Sequence, residues 1–337
     1  MSALILYNTA FFFFVLGMAT IITDIDLAAH QLIRGDIVAI PTETVYGLAG
    51  NASDEAAIAK IYQLKNRPLN HPLIVHVASD SDLLEWVSYI PPYAYKLMEK
   101  FWPGPLTLVF SVRPGKISPS VTGGQSTVAI RCPAHPIAQT LLHSLNFPLV
   151  APSANPFGKI SPTTAEHVQD SFHNDSLLIL DGGRATVGIE STIIDATHPE
   201  SYQLLRAGII NEETLDTFLN AKALSLENET RVSGRLKQHY QPEKTLFYFD
   251  NQYSLKQFIQ NQSQSVYALC FEKLSLPAIH ASYQLPADAS ELAYELYFQL
   301  RRADKSEAVV IAIELPPDTV EWQGIRERII KAGRPGT

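Results

Sequence analysis

The apolar run Ile37-Val38-Ala39-Ile40, stopped by Pro41 and followed by Thr42-Glu43-Thr44-Val45-Tyr46-Gly47-Leu48, constrains this chain most. A short β-branched run reads as a buried strand, and proline, which cannot donate to a sheet ladder, ends it. Two threonines, a carboxylate and a tyrosine are then delivered at the strand tip, where α/β proteins build their sites. A helical segment over 54–63 follows, and Lys65-Asn66-Arg67-Pro68 beyond it supplies two cations. Hydroxyls, cations and a strand end together predict a pocket for an anionic small molecule.

From Ile22 onward, strand-like runs alternate with helix-like segments, which predicts a mixed α/β layered domain. Strands are expected over 72–77, 106–110, 126–132, 148–151, 177–180, 191–196 and 202–205. Helices are expected over 24–32 and after Ser53, read as an N-cap; Thr163-Thr164-Ala165-Glu166 has capping-box spacing and opens another. Residues 220–243 lose this periodicity and read as a linker. Beyond them, strand-like runs over 245–249, 265–271 and 308–314 and helix-like segments over 255–260, 290–302 and 322–332 predict a smaller α/β domain.

The net charge of −8 is unevenly placed. Residues 1–220 hold 12 Lys+Arg against 20 Asp+Glu, and the remainder holds 14 against 14. A few placed cations in an acidic body argue for a local site rather than a broad nucleic-acid face. Two cysteines far apart, Cys132 and Cys270, exclude a disulfide framework and a cysteine metal site, and fit a reduced cytoplasmic location. The apolar stretch from Leu4 to Met18 carries no basic flank; the first cation is Arg34. Three readings stay open for it: an over-long gene start with Met18 as initiator, an apolar appendage, or an export or anchor signal.

Several residues could carry chemistry, each with a plainer reading. Lys65 and Arg67 could grip phosphate or carboxylate, or simply complement a helix C-terminus. His76 sits in an apolar strand, where core histidines are common. Ser153 and Asn155 follow the strand that ends at Ala151, and turn chemistry alone would explain them. Arg131 shares a strand face with Thr127 and Ala129, as a ligand or as a rim ion pair. Gly188-Ile189-Glu190-Ser191-Thr192 reads as a plain turn. There is no Walker loop, nucleophile elbow or zinc helix. Any reaction here is expected to run on positioning and electrostatics.

The order of these elements narrows the reading. Pro41-Thr42-Glu43-Thr44-Val45-Tyr46-Gly47-Leu48, Lys65-x-Arg67-Pro68, His71-Pro72-Leu73-Ile74-Val75-His76, Trp102-Pro103-Gly104-Pro105-Leu106-Thr107, Val128-Ala129-Ile130-Arg131, Ala151-Pro152-Ser153-Ala154-Asn155, Glu190-Ser191-Thr192-Ile193 and Leu205-Arg206-x-Gly208 resemble the YrdC-like family in sequence and in order. Ser233-Gly234 and His239-Tyr240-x-Pro242 resemble the linker of its long, two-domain form. The linker begins Val232-Ser233-Gly234 where many relatives read Ser-Pro-Gly.

The resemblance implies a YrdC-like twisted mixed sheet with helices and a Rossmann-like C-terminal domain. It divides the chain into an N-terminal extension (1–17), a catalytic domain (18–220), a linker and lid (221–243) and a C-terminal domain (244–337). It implies ATP-dependent formation of L-threonylcarbamoyl-AMP from L-threonine and bicarbonate or CO₂, with Mg²⁺ accompanying ATP and pyrophosphate released. The product would feed tRNA modification through a downstream transfer machinery. Carried over by position, Thr44, His76, Arg131 and Ser191 would hold L-threonine, with Ala151 through its backbone. Arg67, His71, Thr127, Ser153, Asn155, Ser161, Arg206 and Tyr240 would surround ATP, and Lys65 and Arg67 would stabilise charge on the phosphates. No protein-held metal is implied. The alternative is a double-stranded RNA or tRNA binding module without turnover, which the acidic balance of residues 1–220 disfavours.

Overall fold

The computed structural model describes residues 18–224, 230–234, 239–274 and 280–336. The N-terminal extension 1–17, and Arg235 and Lys237 of the linker, lie outside the described residues.

The first domain is a ten-stranded mixed sheet flanked by helices. Its strands are β1 (Thr20–Ile22), β2 (Val38–Ile40), β3 (Gly47–Asn51), β4 (Ile74–His76), β5 (Leu106–Ser111), β6 (Thr127–Arg131), β7 (Leu149–Val150), β8 (Leu178–Leu180), β9 (Thr192–Asp195) and β10 (Gln203–Arg206). They lie in the order β1-β8-β2-β3-β7-β4-β6-β5-β9-β10. The helices are α1 (Ile25–Ile33), α2 (Glu55–Lys65), α3 (Pro92–Phe101), α4 (Pro119–Thr122), α5 (Pro136–Ser144), α6 (Ala165–Ser171) and α7 (Glu212–Leu219). All three residues of β2 are fully buried, as its unbroken apolar run requires of an interior strand.

The second domain is a five-stranded parallel sheet in the order β13-β12-β14-β11-β15. It is formed by β11 (Thr245–Phe249), α8 (Gln252–Gln260), β12 (Val266–Cys270), β13 (Ala281–Gln284), α9 (Ala289–Lys305), β14 (Val310–Glu314), α10 (Gln323–Ala332) and β15 (Arg334–Pro335). Its apolar core, built on Leu292, Leu296, Tyr297, Ile325 and Ile329, runs on into Val45, Ile160 and Ile189 of the first domain. The two domains therefore share one buried surface, and that surface reaches the turn after β2.

Local expectations need correction at several points. The stretch after Pro41 is a turn between two antiparallel strands: Gly47–Asn51 forms β3 and pairs Gly47 with Ile40. Two glycines and no alternation hid that strand. At Gly47 a Cβ would stand 3.0 Å from that of Ala151, so glycine lets β3 approach the end of β7. The N-cap of α2 is Asp54, whose carboxylate accepts from Ala56 N at 2.8 Å, while Ser53 N donates to Asn51. The N-cap of α6 is Thr164 rather than Thr163, because Thr163 is bonded to the His167 ring. Strands β1 and β13 also escaped the pattern; both lie at sheet edges, and β13 is largely exposed and polar. Among the described residues no helix is long and apolar enough to cross a membrane.

Candidate active site

The α2 helix ends on Asn66, which adopts the left-handed conformation at φ 51°. Asparagine tolerates that geometry, and the chain reverses there. Lys65 and Arg67 on either side consequently face different surroundings. Lys65 is buried, and its ammonium donates to the backbone carbonyls of Ser153 and Asn155. Burial, reinforced by the Arg67 charge, holds its pKa well below the usual lysine range. Arg67 lines a cleft, with Nη2 donating to Pro72 O at 2.9 Å and to Ser233 Oγ at 3.1 Å. Burial pushes its pKa down to about 10, so it remains a cation at neutral pH.

The turn after β2 supplies one wall of the cleft. Thr42 Oγ1 donates to Val45 O at 2.6 Å and lies 2.9 Å from Thr44 Oγ1, so the hydroxyls lock the turn from within. Parallel register places His76 of β4 beside Arg131 of β6. Nδ1 of His76 lies 3.1 Å from Ile74 O. A carbonyl can only accept, so Nδ1 carries the proton and Nε2 is left as an acceptor. Burial and the Arg131 charge push this histidine down to about 3, so it is neutral at physiological pH.

Arg131 Nε donates to Gly104 O at 3.2 Å, and its Nη2 lies 2.7 Å from Glu43 Oε1. Neither Nη2 nor Oε1 makes a hydrogen bond in this arrangement, so the ion pair leaves Nη2 with donor capacity to spare. Glu43 is itself held by Ala134 N, which donates to its other oxygen at 3.0 Å.

The opposite wall comes from β9 and β10. Arg206 donates from Nε and Nη2 to Ser191 O at 3.0 and 2.8 Å, and from Nη1 to Ser233 O at 3.0 Å. Ser191 Oγ also meets Thr107 Oγ1 at 2.7 Å. The linker closes the cleft. A Cβ on Gly234, where φ is +89°, would stand 2.6 Å from Tyr240 Oη, so glycine is required there. Tyr240 is buried with φ 65°, and its ring lies 4.0 Å from that of His239. With Ser233, Gly234, His239 and Tyr240 in place, the cleft keeps an interior of about 50 Å³, room for a few waters.

Of the residues singled out in the sequence, Thr44, Arg67, His76, Arg131, Ala151, Ser153, Ser191, Arg206 and Tyr240 line this one cleft. Lys65 and Asn155 stand behind it: Asn155 Nδ2 donates to Pro156 O and Lys159 O and braces the turn that Lys65 holds. Ser161 also stands behind, donating to Glu190. His71 lies at the flank, its ring 5.2 Å from that of Phe157. Thr127 opens β6 half-buried and away from the cleft lining. Sequence reasoning placed Thr42 and Glu43 at the strand tip of the expected pocket without a ligand role, and did not name Glu190, Ser233 or His239 as lining residues. A carboxylate inside an apolar strand approach was the available signal for Glu190.

Glu190 is the most heavily bonded acid of the site. It accepts from Ser161 Oγ, from Tyr297 Oη at 2.9 Å and from Arg328 Nε at 2.7 Å. Burial alone would raise its pKa, but the Arg328 and Arg206 charges override burial and hold it at about 2. A carboxylate depressed below its ordinary value of about 4.5 stabilises the fold above that pH and loses the contribution as pH falls toward 2. Glu190→Gln should therefore be less stable than wild type at pH 7, with the gap narrowing by about 2 kcal/mol at pH 3. Denaturant midpoints at the two pH values measure this, and a gap independent of pH would remove Glu190 from the acid response.

Among the described residues no three His, Cys, Asp or Glu side chains come together as a metal site. Glu190 of the cleft pairs with Arg328, and Glu43, beside the cleft, pairs with Arg131. The donor set does not suit a protein-held Mg²⁺.

Fold and cleft define a two-domain α/β protein whose arginine-lined cleft lies under a linker and is buttressed by the second domain. The chain belongs to the Sua5/YciO/YrdC family: residues 30–208 match the family described as Telomere recombination, and residues 209–333 match the C-terminal domain of threonylcarbamoyl-AMP synthase. It is similar to the threonylcarbamoyl-AMP synthase of Bacillus subtilis, with 37% identity over 90% of this chain and 91% of the relative. The Schizosaccharomyces pombe threonylcarbamoyl-AMP synthase is 33% identical over 88% of this chain and 84% of its own. Among solved structures, Pyrococcus abyssi Sua5 complexed with L-threonine superposes with a TM-score of 0.82 at 31% identity, covering 94% of this chain and 98% of that one.

Proposed function

We propose that this chain is an ATP-dependent threonylcarbamoyl-AMP synthase acting in threonylcarbamoyladenosine modification of tRNA. The observation that carries the reading is one buried cleft that joins Arg131, neutral His76 and Ser191 to Arg67 and Arg206. The first set suits an amino acid: Arg131 offers a planar donor group to the carboxylate, and His76 Nε2 an acceptor to the ammonium or hydroxyl. The second suits phosphates. Arg67, Ser153 and Tyr240 line the nucleotide side, with His71 at its flank and Asn155 and Ser161 bracing it from behind, while Thr127 lies away from the lining; Thr44 and Ala151 complete the threonine side. The working division is a catalytic domain over 18–220, a lid over 221–243 and a C-terminal domain over 244–337, in a cytoplasmic protein.

The reaction needs no enzyme nucleophile. Bicarbonate takes up a proton and loses water to give CO₂, and the neutral threonine amine adds to its carbon and sheds a proton, leaving a carbamate. A carbamate oxygen then attacks the α-phosphorus of ATP, the bond to the β-phosphate oxygen breaks, and pyrophosphate leaves. Arg67 and Arg206 would stabilise the charge that gathers on the phosphates, an effect of about 3–4 kcal/mol per well-placed donor. Lys65 serves a different role: it positions the Ser153 turn from behind. Mg²⁺ would accompany ATP as the counter-ion of its phosphates, with no protein carboxylate set among the described residues to hold it. The product is labile, so a lid that excludes water, with Tyr240 at its base, protects it until transfer to the tRNA-modifying machinery.

Pyrophosphate release should require ATP, L-threonine and bicarbonate together. Omitting each in turn tests this, and release that persists without L-threonine would overturn the reading.

A further inference from the structure

We propose that Arg328, in helix α10 of the C-terminal domain, is a positioning residue for the reaction, acting through Glu190 and the backbone on either side of the cleft. The inference rests on the synthase reading. Arg328 is 1% exposed. Its Nη2 donates to Glu190 O at 3.0 Å and its Nε to the Glu190 carboxylate at 2.7 Å. Its Nη1 donates to Ala207 O at 2.9 Å and to Gly324 O at 2.7 Å. One guanidinium thus holds the residue before Ser191 and the residue after Arg206. Ser191 and Arg206 are in turn bonded to each other, with Arg206 Nη2 donating to Ser191 Oγ at 3.1 Å.

The surrounding packing supports a fixed template. A Cβ on Gly188 would stand 2.4 Å from Ala293 O, so the strand approach lies flush on α9. Gly324 of α10 lies as closely on Gly208, where a Cβ would be 3.0 Å from Gly208 O. Tyr297 of α9 adds a hydrogen bond to Glu190 at 2.9 Å, and its ring stands 5.7 Å from that of Tyr240. A domain that merely tethered something else would have no cause to bury an arginine for this purpose, because burying a guanidinium is costly unless each donor finds an acceptor. Here three nitrogens reach four acceptors, and all but Gly324 O flank the cleft residues. The C-terminal domain is on this argument a structural half of the active site.

Lysine at position 328 keeps the charge but cannot bridge Glu190 and Ala207. In the full-length protein, Arg328→Lys should raise the KM for L-threonine about tenfold and lower kcat about tenfold, with the KM for ATP within threefold. Tyr297→Phe, which keeps the ring and removes one donor to Glu190, should raise the threonine KM about threefold. Arg326→Lys, on the same helix but paired with exposed Asp318, should match wild type. A folded Arg328→Lys with a lowered Tm but wild-type KM and kcat would reduce Arg328 to a domain strut and overturn the proposal. Should that variant fail to unfold cooperatively, a wild-type threonine KM in Tyr297→Phe overturns it equally. Wild-type protein that releases no pyrophosphate fails the synthase reading instead, and L-threonine affinity by calorimetry then decides the positioning role.

Discussion

Arg67→Ala should lower pyrophosphate release at least about 100-fold while the protein stays folded. Arg67 lines the cleft and keeps its charge at neutral pH, whereas its contacts are to carbonyls and a linker hydroxyl that open toward the cleft. Removing it takes away a donor for the phosphates and frees Ser233, so ATP affinity falls together with turnover. Lys65→Ala should behave differently. Lys65 is 1% exposed and bonded to Ser153 O and Asn155 O. Its loss leaves two buried carbonyls without their donor, at about 1–3 kcal/mol each. That variant should lose thermal stability and activity in parallel, because the Ser153 turn relaxes. Steady-state kinetics with melting curves separates the two. Unchanged turnover and ATP affinity in a folded Arg67→Ala would end the phosphate role.

Arg131→Lys should raise the KM for L-threonine at least tenfold and leave that for ATP within about twofold. The guanidinium now spans Gly104 O on one side and Glu43 on the other, and Nη2 still has a hydrogen bond to give. A lysine cannot keep both protein contacts and also present a planar pair of donors to a carboxylate. The paired Glu43 partly offsets the Arg131 charge. Arg131→Ala should be worse for the fold than Arg131→Lys, since Glu43 would be left as an uncompensated buried charge costing about 3–5 kcal/mol. Equal effects of Arg131→Lys on both substrates would make the residue a structural ion pair.

Much of this was legible from residue order. The β-branched run before Pro41, the cations after α2, the polar turn at 151–155 and the glycine-bearing linker follow from strand, turn and cap chemistry, or from motifs that recur as a set. These signals are local, so a linear reading can hold them. It predicted the mixed sheet and the second α/β domain, and the family resemblance named nine residues that line the cleft. What it could not decide was direction and depth. Lys65 and Arg67 are two residues apart, but the left-handed Asn66 between them sends one behind the Ser153 turn and the other into the cleft. Glu190 reads as a turn residue until α9 and α10 bring Tyr297 and Arg328 against it from more than a hundred positions away. Arg328 lies in an expected helix, where the sequence assigns it no role. A buried charge is specified by the partners that solvate it, and those partners meet only when the two domains close on one core.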